Sequence, residues 1–123
     1  MAKILGVGGV FLKSEDPEKL YGWYEKHLGL SIGDWPGATF PPKDLPSNSY
    51  SVLSFISSRT DHFSPSNKTF MLKFIVDDLR QAIKQVKEGG GRIMGEIETY
   101  DNGIFGWFID PDGNKIELWE VKR

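Results

Sequence analysis

The sequence predicts an α+β protein built on a repeated βαβββ unit, and three observations predict it. Strand-like apolar runs alternate with two apolar stripes at helical spacing. Each helical stripe opens on an aspartate and closes on glycine. The order strand, acidic cap, helix, glycine stop and three further strands occurs twice, with Gly9 to Asp16 and Met71 to Asp78 spaced alike at an offset of 62 (71 minus 9).

In the first half, ILGVGGVFL (residues 4–12) reads as a short buried strand that the acidic SEDPE ends. Asp16 followed by Pro17 is a helix start: the carboxylate satisfies an orphan N–H, and proline at the first helical position has none to lose. Leu20, Trp23, Tyr24 and Leu28 then form one apolar stripe of core residues, and Gly29 supplies a left-handed cap. DWPGATFPPKDLPSNS is loop around a short strand near Ala38–Phe40. SYSVLSFIS has the β-propensity of a strand, and SSRTDHFSPSNK is a second long loop.

The second half repeats the plan. FMLKFIV reads as a strand and Asp78 as a helix cap. Leu79, Ala82, Ile83 and Val86 make the second apolar stripe, closed by Gly89-Gly90-Gly91. Strands follow at Arg92–Ile97, Ile104–Asp110 and Lys115–Val121, with turns at Tyr100–Gly103 and Pro111–Asn114.

A chain of 123 residues fits one domain with a real core, here built from repeats at about 1–60 and 68–123. With 39% hydrophobic and 26% charged residues it has the composition of a soluble globular protein. A net charge of -2 with both signs interspersed gives no footprint for nucleic acid or an anionic membrane, so a small-molecule ligand is the expected partner. The absence of cysteine removes disulfides, thiolate catalysis and cysteine-ligated zinc. No segment is long enough to span a bilayer, and the first residues lack the apolar core of a signal peptide, so a cytoplasmic location is expected.

The residues KSEDPEKLYGWYEKHLGL, FMLKFIVDDL and above all DPDGNKIELWE resemble the vicinal oxygen chelate superfamily, which includes glyoxalase I, extradiol dioxygenases and the fosfomycin- and bleomycin-resistance proteins. The resemblance covers essentially the whole chain. It implies that the two βαβββ modules form a cup-shaped mixed sheet with the helices on its outer face, and that the protein is a homodimer. It also implies that the positions equivalent to the family's four metal ligands are Gly9, about Ser54, Met71 and Glu117. Only Glu117 keeps a typical ligand there, because glycine has no side chain, serine is a poor ligand and a thioether is soft. A metal site is therefore not expected, and no cofactor is expected either.

Strand alternation places Lys115, Glu117 and Trp119 on one face, opposite Ile116 and Leu118, so Glu117 faces the cup. There it is open to three readings: a general base, a hydrogen-bond acceptor for a ligand, or the partner of Lys73, which shares the face of Met71. A buried unpaired carboxylate is costly, so some partner is required. Glu117 is the single catalytic candidate. The expected substrate-binding set is Phe11, Ser54, Met71, Lys73, Trp107, Glu117 and Trp119, in which the aromatics suit a planar or apolar ligand. His62 lies in a long loop and His27 in the last turn of the first helix, where solvent and the helix dipole respectively account for them. No nucleophile set or phosphate-binding glycine loop is assignable: Gly6-Val7-Gly8-Gly9 lacks the GxGxxG spacing.

These readings leave three functions: binding or metal-free turnover of a small apolar or aromatic metabolite or toxin, a divalent-metal-dependent lyase or dioxygenase, and a scaffold-like protein whose cup is filled by its own side chains. Fold alone does not choose among them.

Overall fold

The computed structural model describes all 123 residues, and it is α+β. Helix α1 spans Pro17–Leu28 and helix α2 spans Leu79–Glu88. Four strands form one sheet: β1 (Leu72–Ile75), β2 (Arg92–Tyr100), β3 (Gly103–Ile109) and β4 (Lys115–Val121), in the order β1-β4-β3-β2. β1 runs parallel to β4, and the remaining pairs are antiparallel.

Both helices begin as the sequence predicts. Asp16 accepts from the Lys19 N–H at 3.2 Å and Asp78 from the Gln81 N–H at 3.0 Å, so each carboxylate satisfies a donor that the helix cannot. Gly29 takes φ 64, the left-handed cap, and donates to the Tyr24 carbonyl. The two helices are joined directly, with Trp23 Nε1 donating to the Gly89 carbonyl at 2.8 Å and Gln85 Nε2 to the His27 carbonyl at 2.7 Å.

The core sits between the helices and one face of the sheet. Leu79, Ala82 and Val86 pack with Tyr24 against Phe108, Ile116 and Leu118. Alternation sends the neighbouring residues to the opposite face, where Phe105, Trp119 and Val121 form a second buried cluster with Ile75 and Trp107 against it. The β3–β4 turn is held by Asp110, whose Oδ1 accepts from the backbone N–H of Asp112 and of Asn114, each at 2.9 Å.

The second half thus forms the expected βαβββ unit, with β2 carried on to Tyr100. The first half departs from expectation. Residues 4–12, Ala38–Phe40 and 49–57 form no strands; the segment 4–12, expected to be a buried strand, is exposed, with Phe11 at 96% of full exposure, and Phe55 in the segment 49–57 stands at 91%. The physical reason is pairing: a strand exists only beside another backbone, and within one chain the sheet ends at β1 on one side and β2 on the other.

Candidate functional site

The register of three strands builds the site. Lys73 pairs with Glu117 across β1 and β4, Trp107 with Glu117 across β3 and β4, and Phe105 with Trp119 one step along. Glu117 is therefore flanked by Lys73 on one side and Trp107 on the other, all on the face turned away from the helices. Directly opposed residues on one face lie about 5 Å apart, close enough for their side chains to meet.

They do meet. Trp107 Nε1 donates to Glu117 Oε1 at 3.0 Å, and Lys73 Nζ lies 3.7 Å from Glu117 Oε2, an ion pair beyond hydrogen-bond length. The same ammonium lies 4.3 Å from the centre of the Trp119 ring and 5.1 Å from that of Phe105, within cation–π range of both. Those rings are parallel to within 3°, with centroids 6.0 Å apart. Lys73 and Glu117 keep 26% and 14% of their side-chain exposure, so the pair is sheltered yet reachable.

Trp119 is fully buried. Its indole N–H donates to the Asn102 carbonyl at 2.9 Å, and the Tyr50 ring packs on it at 5.0 Å between centroids. It underlies the site and does not offer a free face. Beside it an open depression of about 720 Å³ is lined by His62, Glu98, Tyr100, Phe105, Trp107 and Glu117, among others. His62 stands edge-on to Trp107 at 6.4 Å between ring centroids, and its carbonyl accepts from Lys115 Nζ at 2.6 Å, which fastens the loop to β4. Tyr100 donates to Glu98, and that bond, with the carboxylate's charge, raises the Tyr100 phenol above its ordinary range.

Of the residues singled out in the sequence, Lys73, Trp107, Glu117 and Trp119 come together, and the pairing of Lys73 with Glu117 is present. Met71 precedes β1, half-buried, two residues before Lys73. Phe11, Ser54 and Gly9 lie in the exposed first-half segments, outside this group. No group of three or more His, Cys, Asp or Glu side chains is placed to hold a metal ion. Glu117 Oε1 is taken by the Trp107 N–H, and the Lys73 ammonium 3.7 Å from Oε2 repels a cation. The donor set therefore does not fit a divalent ion. Sequence reasoning missed Phe105, although it stands two residues before Trp107 and so shares its face. It also missed Tyr50 and Asn102, which no periodicity marks.

The two-helix, four-stranded mixed-sheet architecture is one that a known family shares, and the family model agrees. The chain belongs to the Glyoxalase/Bleomycin resistance protein/Dioxygenase superfamily, whose model matches residues 6–118. Among solved structures it is similar to an integron cassette protein from the mobile metagenome of V. cholerae, at 25% identity over 99% of each chain with a TM-score of 0.62. A glyoxalase-related enzyme from Fulvimarina pelagi is similar at 14% identity over 95% of this chain and 88% of that one, TM-score 0.59. An antibiotic-binding protein from Streptomyces sp. CB03234 shares 19% identity over 88% of each chain, TM-score 0.52. At such identities the last two speak for the fold alone. A comparison with curated proteins finds no match.

Proposed function

We propose that the protein binds a small planar apolar or aromatic metabolite or toxin against the aromatic face of its sheet, without a metal ion. The observation that carries this reading is the placement of Glu117. The one typical ligand residue among the family-equivalent positions is hydrogen-bonded to Trp107 and ion-paired with Lys73 inside an aromatic group. Such a group suits stacking and hydrogen bonding more than cation chemistry. That a structural neighbour is an antibiotic-binding protein is consistent with it. In this reading Lys73, Trp107 and Glu117 touch the ligand, and Trp119 supports them from below.

The active species is a homodimer in the cytosol, in which the repeats at about 1–60 and 68–123 work as one unit. The exposed apolar segments 4–12 and 50–56 carry no charged residue, and the sheet has open edges, so a second copy is the natural cover for both. Phe11, Ser54 and Met71 join the site only in that assembly. The reading of a cup filled by its own side chains draws support from one observation, the complete burial of Trp119 beneath Lys73 and Tyr50.

Titration of a metabolite panel against tryptophan emission separates the two. Ligand binding predicts saturable quenching by planar apolar compounds that Trp107→Leu weakens at unchanged fold. A panel with no quencher and no effect on melting favours the self-filled cup.

A further inference from the structure

Building on the binding reading above, we propose that the site selects planar aromatics that carry a hydroxyl group, held between Lys73 and Glu117. One hydroxyl oxygen closes the gap between these two side chains: it accepts from the Lys73 ammonium and donates to the Glu117 carboxylate.

The geometry carries this inference. Lys73 Nζ and Glu117 Oε2 lie 3.7 Å apart, too far for a direct hydrogen bond. The ammonium meets two aromatic faces and this carboxylate, and makes no hydrogen bond within the chain. Glu117 Oε1 takes the Trp107 N–H, while Oε2 accepts from no donor. One unspent donor and one unspent acceptor thus stand side by side on a half-sheltered surface. A single oxygen about 2.7–2.9 Å from each satisfies both at ordinary lengths, and a separation of 3.7 Å leaves room for that triangle.

The alternatives fit less well. An ether oxygen accepts from Lys73 but has nothing to donate to Glu117. A carboxylate gains the ammonium but brings its charge against Glu117, and an amine meets the charge of Lys73. Among these uncharged and charged alternatives, the hydroxyl both donates and accepts through one oxygen without adding charge. The ammonium is also held in place in advance, because its contacts with Trp119 and Phe105 fix it before any ligand arrives. The ring that bears the hydroxyl then lies toward Trp107, whose hydrogen bond to Glu117 orients its indole beside the same carboxylate.

The test uses the full chain labelled with ¹⁵N and follows the indole N–H resonance of Trp107, assigned with Trp107→Phe. Three probes of one ring system are titrated: 2-naphthol, 2-methoxynaphthalene and 2-naphthoate. The expected result is saturable movement with all aromatic probes and at least about a tenfold lower Kd for 2-naphthol, as for a site built to hydrogen-bond a hydroxyl. Lys73→Met and Glu117→Gln should each reduce that preference to within about twofold, with amide spectra reporting that the variants stay folded. The probe series on the unaltered protein decides the matter even where a variant does not fold. Equal affinity for 2-naphthol and its methyl ether overturns the hydroxyl reading while leaving the binding site in place. Tightest binding of 2-naphthoate overturns it in favour of an anion site. If none of the three moves the resonance, the binding reading itself falls and this inference falls with it.

Discussion

The Tyr24 hydroxyl donates to Asp110 Oδ2 at 2.8 Å, tying helix α1 to the β3–β4 turn across 86 residues of sequence. The same oxygen accepts from Asn114 Nδ2 at 2.9 Å, while Oδ1 holds the two backbone donors of the turn. One buried carboxylate thus organises both the hairpin and the contact that fixes the helix layer. Burial pushes the Tyr24 phenol far above its ordinary range, and the negative charge of Asp110 adds to the shift.

Tyr24→Phe removes this bond while keeping the ring in the core. It should cost about 1–2 kcal/mol in urea denaturation, because the Asp110 oxygen keeps one partner of two. The pH dependence has a definite sign. An unfolded tyrosine releases its proton near pH 10. Folded Tyr24 holds its proton beyond that, so the contribution is complete below about pH 10 and is lost as pH rises above it. Stability measured from pH 8 to 11 should therefore fall less steeply in Tyr24→Phe than in the native protein. Parallel curves would show that Tyr24 titrates in the fold as it does outside it.

Lys73 and Glu117 should prove weakly coupled in stability. Glu117→Gln keeps an acceptor for Trp107 but leaves the ammonium without its counter-charge, and Lys73→Met removes that ammonium. The double variant should be more stable than the sum of the single losses predicts, by about 0.5–1 kcal/mol, a modest value because the pair is long and partly solvated. Strict additivity in chemical denaturation would show that the aromatic faces, and not the carboxylate, hold Lys73.

Zinc, nickel, manganese and iron should leave the melting temperature nearly unchanged. A ligand of the folded state present at 100 times its Kd adds about 2.7 kcal/mol, which a thermal scan detects easily. The neighbours of Glu117, an indole and an ammonium, offer no further metal ligands. One equivalent of divalent metal in the purified protein by elemental analysis would contradict this expectation.

Sedimentation equilibrium should give twice the 13.9 kDa mass of the chain. Phe55→Asp, in an exposed segment that the chain itself does not cover, should shift the population toward monomer. The sheet formed by residues 72–121 should persist, since its core excludes that segment. A native protein that stays monomeric at high concentration would leave the exposed apolar segments to some other cover.

The sequence by itself determined the parts of this protein that local chemistry dictates. Both helices start at their aspartates and stop at their glycines, because caps act within one turn of backbone. The residues of β3 and β4 divide between faces as alternation requires, so Glu117, Trp107 and Lys73 were legible as one face. Tertiary structure alone decided which residues meet. Nothing local marks Tyr24 as the partner of Asp110, or Tyr50 and Asn102 as the cover of Trp119. Pattern also failed to place the first-half segments, whose β-propensity is real but unmet within the chain. Propensity states what a segment can become, and a strand forms only when a second backbone supplies the hydrogen bonds that water would otherwise keep.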